Sequence, residues 1–361
     1  MKLAIISLVG KSSRSILEES KQFFDKVDHL DIRKIEVEVS DELRVSYSGK
    51  KIENYDCIYV RGSFRYALLQ RSITRALHSE VYMPIKPEAF TIGHDKFLTL
   101  LELRKNKVPL PKTYFAATTE SAKKLLEEVN YPIIMKIPSG TQGKGVMFAD
   151  SIGSARSMLD TLEVFNQPYI LQEYVETNST DIRAIVAGNK VIAAMKRKAQ
   201  KSEIRANIHM GAIGLSYELD PDTEHIAIKS AKAIGAEICA VDILDRGGKP
   251  QVIEVNLSPG LEGITKATKK NIAHHLAKYL ATRTKEEKDA TKSITVDTMF
   301  KELEIGSKHT KKKEIITSLD IKAGIIKLPK IVTDISGFVS DDEATIEIEK
   351  EKIIIKKHKI G

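Results

Sequence analysis

Through its first ninety residues the chain alternates short apolar runs with polar segments of helical period: LAIISLV, SILEESKQFFDKV, IRKIEVEV and YDCIYVRG follow one another. Apolar runs buried on both faces need helices packed above and below them, so this order predicts an open α/β unit built on βαβ crossovers. Arg61 falls at the end of the last of these strands, where such sheets present groups to a ligand. At 361 residues the chain can bury a substantial core, and typical domain sizes suggest roughly two to four units.

A helix is predicted from about Gly93, with Phe97, Leu100 and Leu101 on one stripe, ending before VPLPK (108–112), where two prolines forbid continuation. A new module starts there: a helix at SAKKLLEEV (121–129), a strand entering a glycine-rich turn in YPIIMKIPSGTQGKGVMFAD (131–150), a second helix, and the strand YILQEYV (169–175). The strands DIRAIVAG and KVIAAMKRKA flank the turn dipeptide Gly188-Asn189. A helix near 222–237, the hairpin ICAVDILD / RGGK / PQVIEVNL and the helix TKKNIAHHLAKYL complete it. From about Thr282 charged and Thr/Ser-rich sequence without a sustained apolar period predicts a linker, with one short helix near 299–303. Beyond Lys313, IITSLDI, GIIKLP, ATIEIEK and KIIIKKH predict a small β-rich domain. The expected boundaries are therefore 1–92, 93–282, a linker over 283–312, and 313–361.

Several broad classes are excluded. MKLAIISLVG at the start lacks the longer apolar region and small-residue cleavage site of a signal peptide, and no window approaches the ~20 apolar residues of a membrane span. The expectation is a cytoplasmic protein with no membrane partner. Cys57 and Cys239 lie in apolar strands, which predicts packing rather than a disulfide framework. The net charge of +8 is compatible with nucleic acid, anionic lipid or phosphorylated ligands, but much of it sits in lysine-rich helices and in KHTKKKE (308–314), as a solvated face would.

The chemistry concentrates in the module 93–282. Asp242 and Glu254 fall nearly opposite each other across the RGGK turn, and Asn256, two residues on, shares the face of Glu254. Two carboxylates and an amide oxygen are hard ligands suited to Mg²⁺ (or Mn²⁺), and facing carboxylates need a cation between them. In SGTQGKGV (139–146), Gly140, Gly143 and Gly145 let backbone N–H groups turn toward an anion such as phosphate. It is not a P-loop, because Lys144 precedes Gly145 rather than Ser or Thr. Lys136, in a strand of Ile, Met and Pro, is costly to bury without an anion, and Lys96 is a second lysine for the same task. QEYV (172–175) ends a strand where backbone groups can read a base edge. Arg183, Arg197 and Arg205 gather in neighbouring segments with Asp181 and Asn207; if those strands share a sheet, their guanidiniums converge on a carboxylate or phosphoryl group.

DKFLTLLELRKNKVPLPKT, YPIIMKIPSGTQGKGV, LQEYVETNSTDIRAIVAGNKVIAAMKRKA, EIRANIHMGA, AVDIL and VIEVNLSPGLEGI together resemble the successive motifs of RimK-type ATP-grasp ligases, across about residues 1–282. Lys144 departs from the pattern, which commonly has an apolar residue there. The resemblance implies an α/β ATP-grasp fold preceded by an open α/β domain, with ATP and Mg²⁺ as cofactors. It implies that Lys96 and Lys136 hold the nucleotide, that Gln172, Glu173, Tyr174, Val175 and Asp181 lie along the adenosine segment, and that Arg205, Ala206 and Asn207 add ATP contacts. Asp242, Glu254 and Asn256 are then the magnesium ligands, and Arg197 and Arg183 hold the acyl phosphate and acceptor. The activity implied is ligation of an amino acid, glutamate favoured, to a carboxylate acceptor, whether protein C-terminus, carrier protein or small cofactor.

The terminal segment KAGIIKLPKIVTDISGFVSDDEATIEIEKEKIIIKKHKI (322–360) resembles the swapped-hairpin domain of AbrB-type proteins, with Gly324, Pro329 and Gly337 at matching spacings. That resemblance implies a homo-oligomer. Many such domains bind DNA through arginines, but the matching positions here hold Ile325, Thr333 and Asp334, so dimerisation is the favoured expectation. A nucleic-acid-binding regulator with a nucleotide-sensing ATP-grasp unit is the alternative.

Overall fold

The computed structural model describes residues 1–361 except 53, 117, 139–144, 166, 200–212, 304–319, 323–324, 328–331, 333–335, 337–343, 350–351 and 358–361; over 291–303, 320–322 and 325–327, and at 349, 352 and 357, it describes the backbone alone. The chain forms two compact units, Met1–Thr295 and Val296–Gly361.

In the first unit β1 (Lys2–Ser7), α1 (Lys11–Ser20) and β2 (Lys26–Asp31) make a parallel βαβ pair. The segments β3 (Ile35–Val39), β4 (Leu43–Tyr47) and β5 (Lys50–Lys51) form a separate antiparallel sheet, and β6 (Cys57–Val60) returns to the far side of β1, giving the order β2-β1-β6. The apolar period misassigned the second strand: IEVEV builds the side sheet, whereas β2 is KVDHLD, with Leu30 its one buried residue. A strand at a sheet edge needs no continuous apolar run, so periodicity passes over it. The two cysteines are buried and unpaired, and burial pushes both thiols up, to about 12, so neither is a thiolate near neutrality.

Next come α2 (Ala67–Leu77), α3 (Pro87–Ile92) and α4 (Lys96–Lys105). The last begins after Asp95, whose carboxylate accepts the N–H groups of Phe97 and Leu98, and it buries Thr99, Leu100 and Leu103. Leu101, expected on the buried stripe, is 46% exposed.

The elements β7 (Thr113–Phe115), α5 (Thr119–Glu128), β8 (Ile133–Lys136), β9 (Val146–Ala149), α6 (Ile152–Val164) and β10 (Ile170–Glu173) form an antiparallel sheet of order β7-β10-β8-β9. Its own core joins Ile133, Met135 and Leu171 to Leu126 and Leu159 of the two helices. There follow β11 (Thr180–Ala187), β12 (Lys190–Lys198), β13 (Ile213–Ser216), α7 (Pro221–Ile234), β14 (Ile238–Asp245) and β15 (Pro250–Asn256), in a five-stranded antiparallel sheet of order β13-β12-β11-β14-β15. Gly188 in the β11–β12 turn has φ 64°, and a Cβ there would meet the Tyr279 hydroxyl at 2.6 Å.

The chain then forms α8 (Glu262–Thr268) and α9 (Ile272–Leu303). The helix continues where a linker was expected from residue 283. Ile272, Leu276, Leu280 and Thr284 carry its buried face past the point where apolar residues thin out. Arg283 is paired at helical spacing with Glu286 and Glu287, at 2.6 and 2.7 Å, and Lys288 reaches across to Asp56 at 2.7 Å. Among the described residues no helix is long and apolar enough to cross a membrane.

The second unit contains two hairpins, β16 (Asp320–Lys322) with β17 (Ile325–Lys327), and β18 (Ala344–Glu349) with β19 (Lys352–Lys357). Ile346 pairs with Ile355 and Ile348 with Ile353, and all four are exposed. Gly324, Pro329, Thr333, Asp334 and Gly337, which carry the AbrB-type expectation, lie outside the described residues.

Candidate functional site

Two contiguous cavities lie in the first unit. The smaller, of about 180 Å³, is lined by β8, β9 and β10 on one side and by β11, β12, β14 and β15 on the other. The larger, of about 740 Å³, runs from the five-stranded sheet to the C-terminal ends of β1 and β6. Lys96, Arg197, Ile253 and Glu254 line both.

Cross-strand register assembles their shared wall. Asp181 on β11 stands opposite Arg197 on β12, Arg183 stands opposite Asp242 on β14, and Asp242 stands opposite Glu254 on β15. Arg183 donates to both Asp242 oxygens, from Nε at 2.8 Å and Nη2 at 2.6 Å. Arg197 donates to Asp181 from Nε at 2.6 Å and Nη2 at 2.5 Å, and its Nη2 lies 3.0 Å from Asp242. Two guanidiniums thus neutralise Asp242, while none contacts Glu254 among the described residues. Burial opposes ionisation of Asp242, but Arg183 and Arg197 outweigh it and hold the carboxyl far below the usual range. Burial pushes Asp181 up, to about 6, against the pull of Arg197.

A bulge shapes the end of this wall. Asp242 pairs with Glu254 but Ile243 pairs with Val252, so Ile253 is an extra residue in β15. Ile253 and Glu254 consequently reach the same space, and Asn256 joins Glu254 in the larger cavity. Glu254 has no hydrogen-bond or ion-pair partner among the described residues, Asn256 Oδ1 accepts from Ser258 N–H at 3.0 Å, and Asp242 retains an oxygen with a single donor. Two carboxylates and an amide oxygen with acceptor capacity left suit a hard divalent cation that keeps further oxygen ligands of its own. Among the described residues no group of three or more His, Cys, Asp or Glu gathers.

Lys136 ends β8 in the smaller cavity, donating to Gln172 Oε1 at 2.6 Å, and Gln172 in turn donates to Thr113 at 2.8 Å. Burial, partly offset by Glu254, lowers the lysine to about 8. Lys96 Nζ lies 3.4 Å from the Pro138 carbonyl. At the β10 corner the Glu173 and Tyr174 N–H groups donate to Lys112 and Pro132 carbonyls, which leaves Val175 N–H without an acceptor among the described residues. Ile134, Val146, Leu244 and Ile253 make the cleft apolar enough to hold a flat ring.

Every described residue expected at the site except Gly145 lines one cavity or the other. Gly145 has φ 75° and accepts from Ile137 N–H at 3.0 Å. Gly140, Gly143, Lys144, Arg205, Ala206 and Asn207 lie outside the described residues. What sequence reasoning missed is the turn after β15: Gly62 N–H donates to Ser258 Oγ at 3.0 Å, Arg61 Nη2 to the Pro259 carbonyl at 2.7 Å, and Leu261 N–H to Ser12 Oγ at 2.9 Å. The Ser-Pro-Gly punctuation at 258–260 marks a turn, but nothing local says that it docks on strand ends nearly two hundred residues earlier.

The fold has solved counterparts. The ATP-grasp ligase PsnB complexed with a phosphomimetic variant of minimal precursor, Mg and ADP aligns over 78% of this chain and 98% of its own, with TM-score 0.63 and 17% identity. The macrocyclase MdnC bound with precursor peptide MdnA from Microcystis aeruginosa MRC aligns over 78% and 100%, with TM-score 0.60 and 15% identity. In sequence, a probable alpha-L-glutamate ligase of Cellvibrio japonicus (strain Ueda107) is 34% identical over 286 residues, 78% of this chain and 95% of that protein. One of Legionella pneumophila (strain Corby) is 39% identical over 240 residues, 66% of this chain and 80% of that protein. Residues 93–280 match the RimK-like ATP-grasp domain, and with it and these relatives the chain belongs to the RimK-like ATP-grasp family of α/β ligases.

Proposed function

We propose that this ATP-grasp ligase joins the amine of an amino acid, glutamate favoured, to an acceptor carboxylate on a protein C-terminus, a carrier protein or a small molecule. The observation that carries the reading is the pair of cavities meeting at Lys96, Arg197 and Glu254: the narrow cleft fits a base, and the wider cavity, lined by Arg183, Arg197 and Glu254, fits the groups to be joined. The names of the curated relatives supply the preference for glutamate.

In this reading the adenine lies in the cleft at 172–175, and Lys136 and Lys96 face the phosphates. An acceptor carboxylate oxygen attacks the γ-phosphorus, the bond to the β-phosphate oxygen breaks, and ADP leaves. The amine nitrogen then attacks the acyl carbon, expelling inorganic phosphate and releasing a proton. No nucleophilic side chain is needed, because positioning and charge stabilisation carry phosphoryl transfer. Arg183 and Arg197 are held in place by Asp242 and Asp181, and the Nη1 group of each remains for transferring oxygens. Asp242, Glu254 and Asn256 would hold Mg²⁺, which when bound neutralises phosphate charge. The test is ADP release by purified protein with Mg-ATP, candidate amino acids and acceptor-containing extract, with mass spectrometry seeking adducts of one added residue. ADP release that never depends on an amino acid would overturn the reading.

We further infer that the second unit dimerises. The four exposed isoleucines on one face of the β18–β19 hairpin support this, since an isolated two-stranded hairpin is marginal in water.

A further inference from the structure

Among the described residues, every buried side-chain polar atom without a hydrogen-bond partner belongs to Tyr59, Arg61 or Gln70. Arg61 is the charged one. It is 4% exposed, its Nη2 donates to the Pro259 carbonyl, and its Nε and Nη1 have no acceptor. The guanidinium lies 5.5 Å from the Tyr59 ring centroid, and no described carboxylate pairs with it. A buried cation with idle donors is costly unless something anionic arrives.

The surroundings say where it would arrive. Arg61 follows β6, the neighbour of central β1, at the carboxyl ends of parallel strands and at the point where the connections part to either side. It lines the larger cavity and not the smaller cleft. Gly10, Lys11, Ser12 and Ser13, at the start of the ten-residue helix α1, line the same space. That helix has no side-chain cap and no acidic residue in its first turn, so its N-terminal N–H groups and dipole add to the positive field. Of the other cations lining the cavity, Arg183 and Arg197 are bonded to Asp242 and Asp181, Lys11 pairs with Glu262, Lys96 lies against the Pro138 carbonyl, and Lys266 is exposed to solvent, so Arg61 is the buried one with idle donors.

We infer that Arg61, supported by the N-terminus of α1, binds a carboxylate of the incoming amino acid. This rests on the ligase reading above. An amino acid joined through its amine keeps its carboxylates whatever the acceptor is, so a site that selects it needs a cation away from the phosphates. Arg61 is that cation.

Calorimetry on the full chain saturated with Mg-ADP tests this with L-glutamate, L-isoglutamine (the α-amide) and L-glutamine (the side-chain amide). The unaltered enzyme is expected to bind one amide roughly tenfold or more weakly than L-glutamate, which identifies the carboxylate concerned. Arg61→Gln should bind L-glutamate and that amide equally, with Mg-ADP affinity unchanged; Arg61→Lys should restore part of the discrimination. Unaltered enzyme that binds L-glutamate and both amides alike would overturn the inference even if Arg61→Gln failed to fold. So would an Arg61→Gln enzyme that still discriminates. Either result with Mg-ADP binding intact would leave the ligase reading standing, whereas no nucleotide binding by the unaltered enzyme would remove both.

Discussion

Asp242 and Glu254 face each other across one hairpin, yet their substitutions should behave differently. Asp242→Asn leaves Arg183 and Arg197 against a neutral amide in a buried site, and breaking such a network costs about 3–5 kcal/mol. Glu254→Gln removes a carboxylate with no described partner, so its melting temperature should match the unaltered enzyme's while turnover falls about 100-fold or more. Thermal denaturation alongside ADP-release assays separates the two, and full activity in both would remove the metal assignment. Lys136 carries a pH signature. Between about 8 and the unfolded-lysine range, the unfolded chain binds a proton that the folded chain has lost, so this group adds stability to the nucleotide-free protein as pH rises. Nucleotide affinity should move the opposite way, falling above about pH 8 as the ammonium is lost, and Lys136→Met should flatten both profiles in calorimetry. The facing carboxylates were legible in the sequence because one short turn separates them. The pairing of Arg183 with Asp242 was not, because it spans 59 residues and depends on which strands become neighbours.

At the scale of elements, hairpins and glycine turns were readable, while the edge strand β2 and the charged half of α9 were not. KVDHLD has no apolar alternation, and α9 loses its apolar stripe near Thr282 but keeps helical charge pairs. The bulge at Ile253 left no mark in composition, since an extra residue in a strand shows only once its partner strand is known. The β11–β12 turn offers a test of local geometry. Gly188→Ala places a Cβ at positive φ and against Tyr279, and should lower stability by about 1–3 kcal/mol in denaturant melts. Gly153→Ala, inside α6 with no atom near its Cβ position, should raise stability by about 0.4–1 kcal/mol.

For the whole molecule, the Cellvibrio relative aligns over 95% of its own length but 78% of this chain, so the rest of this chain has no counterpart in that alignment. Deleting residues 313–361 should therefore leave ADP release intact and convert a dimer to monomer in sedimentation; an unchanged mass would contradict the dimer reading. Salt-sensitive DNA binding by the full chain would favour the regulator instead.

The turn fastened to Arg61, Gly62 and Ser12 follows directly from the strand that carries Glu254 and Asn256. One continuous stretch of backbone therefore ties the wall that carries Glu254 and Asn256 to the strand end and helix start at the far side of the wide chamber. Inserting or removing a residue between 254 and 258 would change that span by one peptide length and turn Asn256 or Ser258 away from its present partners.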